Sequence, residues 1–238
     1  MRGAIVCVLF ALASAGAVAS EPARLDVSIP GVVPGSRLPE HFAFCRPDGA
    51  GRVAPAPDRS PPVHWSAGPA ATRSYAVVMS DPDVPADAAL VNRADTVIAP
   101  SAARVSFYHW LLVDLPPSMR SLEEAADSEQ RVVHGKPLMR RGEGRRGIND
   151  YTGFFAGSAD MRGTYAGYDG PCPPWNDLRL HHYRLTVYAL DVPSLPLADG
   201  FDGRALVKAL QGHVLASGTT DNTFSTHATL APSGEVAH

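Results

Sequence analysis

Three stretches of this chain are apolar almost without interruption. They are RSYAVVMS (Arg73 to Ser80), VSFYHWLLVDLP (Val105 to Pro116) and HHYRLTVYALDVP (His181 to Pro193). Each is rich in β-branched and aromatic residues, and each is halted by proline; the first stops at DPDVP. Short apolar runs bounded by turn residues read as strands buried on both faces. Weaker alternation in RLDVSI (Arg24 to Ile29) and the short VHW from Val63 predict two further strands. Between Cys45 and Pro62 there is no period, and the Pro/Gly/Ala-rich composition reads as a long loop. Helical spacing is clear only near the C-terminal end. In DGRALVKALQGHVLAS, residues Ala205, Leu206, Ala209, Leu210 and Val214 recur at helical intervals behind Asp202 as an N-cap. SLEEAADS, from Ser121, is expected to make one turn of helix, and INDYTGFF, from Ile148, none.

A buried sheet needs cover on both faces. One helix cannot cover three such strands, so a second sheet is required. The pattern therefore predicts a mostly-β fold: a two-sheet antiparallel β-sandwich with a few peripheral helices.

Strand alternation sorts the polar exceptions onto faces. Tyr75, Val77, Met79 and Asp81 share a face; so do Phe107, His109, Leu111 and Val113; so do His181, Tyr183, Leu185 and Val187, with His182 pointing away. His109, flanked by apolar neighbours, is either a hydrogen-bonded core histidine or a ligand group. Asp81 either caps its own turn before Pro82 or orients an imidazole such as His109, fixing its tautomer. Three strands thus each carry a hydrogen-bonding residue at the mouth of an apolar face.

Composition narrows the function. The chain has 238 residues, 19% of them charged, with a formal net charge of -3, which leaves no broad basic field for nucleic acid or an anionic membrane. The run RRGEGRR (Arg140 to Arg146) reads as a solvated loop. Gly142, Gly144 and Gly147 match G-x-G-x-x-G, but no buried strand precedes them, so no dinucleotide site is assigned. Metalloprotease, redox-dithiol and nucleophile-elbow motifs are absent. A zinc site from His109, His181 and Asp81 is chemically allowable but lacks specific ligand spacing, so no metal and no cofactor is assigned.

The N-terminal stretch MRGAIVCVLFALASAGAVASEP has Arg2, an apolar run and small residues ending at Ala19. It reads as a cleavable signal over residues 1–19, leaving a single domain over 20–238 in the periplasm or medium. No second apolar stretch is long enough to cross a membrane. Cys7 falls in the signal, so Cys45 and Cys172 remain. Two cysteines in an oxidising compartment point to one disulfide, worth roughly 3–5 kcal/mol on the chain-entropy model; the alternative is two separate buried thiols.

DPDVP, the HW of the next buried strand, GYDGPCPP and the HHY that opens another strand resemble the signature set of the phosphatidylethanolamine-binding protein family, and within it the bacterial Raf kinase inhibitor protein-like branch. The likeness runs from about Phe44 to Ser225. It implies two antiparallel sheets face to face, and a small pocket at one end for phosphate-like anions or phosphorylated head groups. By motif position, Asp81, His109, His181 and Tyr183 would line it. Gly170 and Pro174 would form its rim, and Pro85 the opposite lip. The histidines and tyrosine would donate to the anion, with Asp81 holding one imidazole in its donor tautomer. Kinase partners belong to cytosolic eukaryotic members, which an exported protein would not meet.

The leading expectation is a non-enzymatic binding protein for a small anion or phosphorylated ligand. A hydrolase using Asp81 with His109 and His181 as acid–base groups is the first alternative. An interaction module docking through the aromatic segment Tyr151 to Phe155 is the second. The sequence leaves the protein partner and a homodimeric state open.

Overall fold

The computed structural model describes residues 23–230; the segment read as a signal, residues 1–19, lies outside the described residues. The described chain starts with two short strands, β1 (Ala23–Arg24) and β2 (Val27–Ser28). A hairpin of β3 (Cys45–Pro47) and β4 (Val53–Pro55) follows, then β5 (Val63–Trp65). The long strands β6 (Ser74–Pro85) and β7 (Arg104–Leu115) precede the short β8 (Ser121–Leu122) and β9 (Arg145–Arg146). One-turn helix α1 (Tyr151–Phe154), strand β10 (His181–Leu190), helix α2 (Gly203–Leu210) and strand β11 (Val214–Phe224) complete it.

The main sheet has six strands in the order β1-β11-β10-β6-β7-β9. A three-stranded sheet, β2-β5-β8, forms the second layer, and the β3–β4 hairpin stands apart. Every pairing is antiparallel except β1 with β11. The three apolar runs become β6, β7 and β10, which lie side by side and are buried on both faces, as their composition predicts. One face carries Tyr75, Val77, Met79, Trp110, Leu112, Leu185 and Val187 against Val63, Trp65 and Leu122 of the small sheet. The other carries Ala76, Val78, Leu111 and Val113 against Leu206 and Leu210 of α2. Each large side chain withdrawn this fully from water contributes about 1.5–3 kcal/mol. The fold is mostly β, with its core between unequal sheets and a helix on the outer face.

Local differences from the sequence reading have local causes. The Cys45–Pro62 loop contains the β3–β4 hairpin, and Arg24–Ile29 splits into β1 and β2, which join different sheets. SLEEAADS makes β8 and turns rather than helix, while INDYTGFF holds α1. Helix α2 starts as predicted, with the Asp202 carboxylate accepting from Ala205 N at 2.8 Å. It stops at Leu210 because Gly212 takes φ +82°, a conformation that reverses the chain, and Val214 opens β11 instead. The composition of β11, VLASGTTDNTF, hides it from a hydrophobicity reading. Gly218 is required there because a Cβ would lie 2.0 Å from the Leu25 carbonyl oxygen of the first edge segment.

Candidate functional site

At one end of the core the ends of β6, β7 and β10 converge on a cavity of about 270 Å³. Asp81, His109 and Tyr183 form its polar end; the walls are mostly Phe, Pro, Val and the sulfurs of Cys45, Cys172 and Met161. Cys45 and Cys172 form the disulfide, with Cα atoms 5.0 Å apart, and so tie the β3 hairpin to the Pro-rich rim.

Simple alternation places His109 with Leu111 and Val113, on the face that meets α2. The structure places it on the opposite face, and the reason is a β-bulge. Met79 pairs with Trp110, but Ser80 pairs with Tyr108, so His109 is the extra residue on β7. The bulge lets His109 and Trp110 both turn inward, and brings the His109 ring to 5.2 Å from that of Tyr183.

His109 and His181 are held in different states. The His109 Nδ1 lies 2.8 Å from the Asp169 carbonyl oxygen, which accepts only, so Nδ1 carries the proton and donates. Burial pushes the His109 pKa down, and nearby Asp81 offsets this only in part. In the neutral ring Nε2 therefore holds a lone pair. That atom is buried with no partner among the described residues, and so is the Tyr183 hydroxyl. Burial, then Asp81, raises the Tyr183 pKa well above its ordinary value, so its proton stays on. Both unpartnered groups stand at the polar end of the cavity, each costing about 1–3 kcal/mol if never satisfied.

His181 does not serve there as the family likeness implied. Its Nδ1 donates to Asp81 Oδ2 at 2.6 Å and its Nε2 to Asp177 Oδ2 at 3.1 Å. Burial opposes its charge, but the carboxylates of Asp177 and Asp81 overcome this and raise its pKa to about 9. With both nitrogens engaged, His181 is a charged tie beneath the cavity. Asp177 is paired in turn with Arg104. Asp81 thus orients His181 rather than His109, and its Oδ1 also accepts from Asp83 N at 2.7 Å, closing its own turn. The zinc alternative loses His181 for the same reason; among the described residues no group of three His, Cys, Asp or Glu side chains is placed to hold a metal ion. His182 points away and pairs with Asp83 at 2.7 Å.

Pro174 lines the cavity wall. Gly170 lies beneath the wall, where a Cβ would sit 1.9 Å from the Phe42 carbonyl oxygen and its N–H donates to Asp58 Oδ1 at 2.7 Å. Pro85 is buried at the end of β6 opposite Arg104, outside the cavity lining. Both are therefore structural supports rather than contact residues.

Several contributors were not singled out from sequence. Asp58, Lys136 and Asp169 form a buried ion cluster under the rim: Lys136 Nζ is 3.4 Å from Asp58 Oδ2 and bonded to Asp169, which also accepts from Asn149 at 2.7 Å. Burial, then the neighbouring Asp169, pushes the Asp58 carboxyl well above its ordinary range, and burial raises Asp169 as well, against the pull of Lys136. This cluster fixes the Asp169 carbonyl that sets the His109 tautomer. Tyr151 of α1 stacks on Phe44 at 4.7 Å, and its hydroxyl donates to the Gly170 carbonyl at 2.8 Å. Of these, Asp177 had a local signal, standing four residues before His181 in NDLRLHH, and Tyr151 lay in the aromatic segment Tyr151 to Phe155 already named as a docking candidate.

The chain is thus a mostly-β sandwich with an apolar cavity at the ends of its long strands, a bulged histidine and a Pro-rich rim tied by a disulfide. The sequence model for phosphatidylethanolamine-binding protein matches residues 28–225, and the chain belongs to that family. A relative from Methanothermobacter thermautotrophicus, a UPF0098 protein, is 30% identical over 156 residues, covering 66% of this chain and 76% of its own. The Escherichia coli UPF0098 protein YbcL is 30% identical over 157 residues, covering 66% of this chain and 63% of its own. In fold, the crystal structure of E. coli YbcL, described as a new member of the mammalian PEBP family, superposes with a TM-score of 0.61 at 24% identity, covering 85% of this chain and 99% of that one. A putative phosphatidylethanolamine-binding protein homologue, CT736 from Chlamydia trachomatis, gives 0.56 at 23% identity, covering 85% and 97%.

Proposed function

We propose that this protein is an exported, non-enzymatic binding protein whose cavity takes a phosphate-like or phosphorylated group in its proton-bearing form. The observation that carries this reading is the pair of buried, unpartnered groups, His109 Nε2 and Tyr183 Oη. The neutral imidazole offers an acceptor and the tyrosine a donor. A P–OH with an adjacent P–O⁻ satisfies both at once. A fully ionised phosphate satisfies both only if His109 takes up a proton. Either way one proton accompanies the ligand. The charged and titratable groups around His109 are Asp81 on β6, His181 and Tyr183 on β10, and Tyr151 on α1. Asp81 is matched by charged His181, so the polar end is close to neutral.

The hydrolase alternative would have to work through Asp81 and His109, since the cavity lining offers no serine, threonine or lysine as nucleophile and Cys45 and Cys172 are joined in the disulfide. His181, needed as a second acid–base group by the hydrolase alternative, has no free nitrogen.

Calorimetry with phosphoethanolamine tests this. Affinity is expected to fall up to about tenfold per pH unit above about pH 6, where the second phosphate proton leaves. Tyr183→Phe and His109→Ala should each weaken binding about 10-fold or more. Affinity that stays flat between about pH 5 and about pH 8, or is unmoved by both substitutions, overturns the reading. Turnover of phosphoesters abolished by His109→Ala would establish the hydrolase instead.

A further inference from the structure

The cavity is larger and more apolar than a phosphate group needs. At about 270 Å³ it is many times the roughly 10–15 Å³ that one water needs on the same measure. Its remaining wall is built by Phe44, Phe107, Phe154, Phe155 and Met161. Among these apolar groups stands one full positive charge. Arg131 lines the cavity with its guanidinium carbon 4.7 Å above the Phe44 ring and its Nη2 3.4 Å from the Met161 sulfur. Its Nε is buried and bonded to nothing among the described residues, and it forms no salt bridge with them.

Arg131 as a whole is half-buried, and its arrangement is unlike that of the other cations withdrawn from solvent. Arg104 is paired with Asp177, Arg140 and Arg146 with Asp127, and Lys136 with Asp58 and Asp169. A charge in an apolar wall is costly unless matched, and stacking on Phe44 offsets only part of that cost. The Phe44 ring stacks on Tyr151 at 4.7 Å, and Tyr151 meets His109 edge-on at 5.5 Å. Arg131 and His109 are therefore separate poles, spaced by aromatic rings.

We infer that the ligand is a two-pole small molecule: a proton-bearing hydroxyl or phosphate at His109 and Tyr183, an aromatic or aliphatic body along the phenylalanines, and an anionic group at Arg131. The inference rests on the proposed reading that the cavity is the binding site. It adds that a second, charged contact selects among ligands sharing the same head. Carboxylate suits Arg131 because Nε and one Nη can donate in parallel to its two oxygens.

The probes are 3-(4-hydroxyphenyl)propionate, its phosphate ester, and 3-(4-hydroxyphenyl)propanamide, which keeps the head and body but lacks the charge. Calorimetry on the full mature chain is expected to rank the phosphate ester and the acid about 10- to 100-fold tighter than the amide, a range typical of one charge-assisted hydrogen-bonded contact. Arg131→Gln should remove that difference between acid and amide. Equal affinity for acid and amide in the wild type overturns the inference without depending on any variant. So does an acid preference that survives Arg131→Gln, and so does failure of all three probes to bind. Phosphoethanolamine binding that is lost in Tyr183→Phe but indifferent to Arg131→Gln, with acid and amide equal, keeps the head-group reading and removes only the second pole.

Discussion

His109 and His181 flank β6 from either side, on β7 and β10, and have opposite protonation behaviour. Deep burial pushes the His109 pKa down, against Asp81 and the Asp169 carbonyl, which raise it; the carbonyl contact fixes the tautomer. Two carboxylates at hydrogen-bond distance keep His181 charged, with a pKa raised from 6.5 to about 9. The second shift has a signed consequence for stability. A folded-state pKa above the unfolded value stabilises fully below about pH 6.5, and the contribution is lost as pH rises through about 9. The shift corresponds to on the order of 3 kcal/mol. Urea unfolding of the wild type is therefore expected to show a falling midpoint between about pH 7 and about pH 10, with that slope absent in His181→Gln. An unchanged slope in the variant would show that another group titrates. Residue type at these positions was legible from the chain, since each histidine opens or interrupts an apolar run. Protonation state was not, because it depends on Asp177, Asp81 and the Asp169 carbonyl arriving from other segments.

At the scale of elements, the pocket depends on departures from regular strand geometry. The bulge at His109 turns a residue that alternation assigns to the helix-covered face into the cavity. The β3–β4 hairpin, hidden in a stretch that reads as loop, supplies Phe44's neighbour Cys45 and one cavity wall. The disulfide joins that hairpin to the rim across a sequence separation of 127 residues. Replacing both cysteines with alanine is expected to lower unfolding free energy by about 2–5 kcal/mol, seen as a lower urea midpoint, with a steeper slope because the uncrosslinked unfolded chain exposes more surface. Ligand affinity should fall with it, because one wall loses its tether. A double variant as stable as the wild type would mean that the hairpin is held by packing alone. Aromatic stacking of Phe44 on Tyr151 is the packing contact in question.

For the whole molecule, the unequal sheets explain why the site lies where it does. The small sheet covers only part of the long strands, and the ends of β6, β7 and β10 extend past it toward the rim. The uncovered strand ends are closed by the hairpin, the Pro-rich rim and α1. Among the described residues no helix is long and apolar enough to cross a membrane. Export belongs to the proposed function, and its test is the N-terminus of protein recovered from a native-type host. Cleavage after Ala19, with Ser20 as the first residue and the protein in periplasm or medium, is the expected outcome. An intact Met1 in the cytosolic fraction would overturn export and remove the oxidising setting for the disulfide.

The sequence by itself determined the three long buried strands, the start of α2, the mostly-β class and the family signature. These follow from local periodicity, turn residues and short motifs, which act within a few residues of one another. Tertiary structure alone decided which face His109 occupies, that His181 is tied off, and that Gly170 and Pro85 support rather than contact the cavity. It alone showed Lys136 placed between Asp58 and Asp169, and Arg131 left unmatched in an apolar wall. The physical reason is that cross-strand register, burial and charge pairing are properties of segments brought together from far apart. Asp81 and His181 are 100 residues apart in the chain and 2.6 Å apart in space, and no local pattern encodes that meeting.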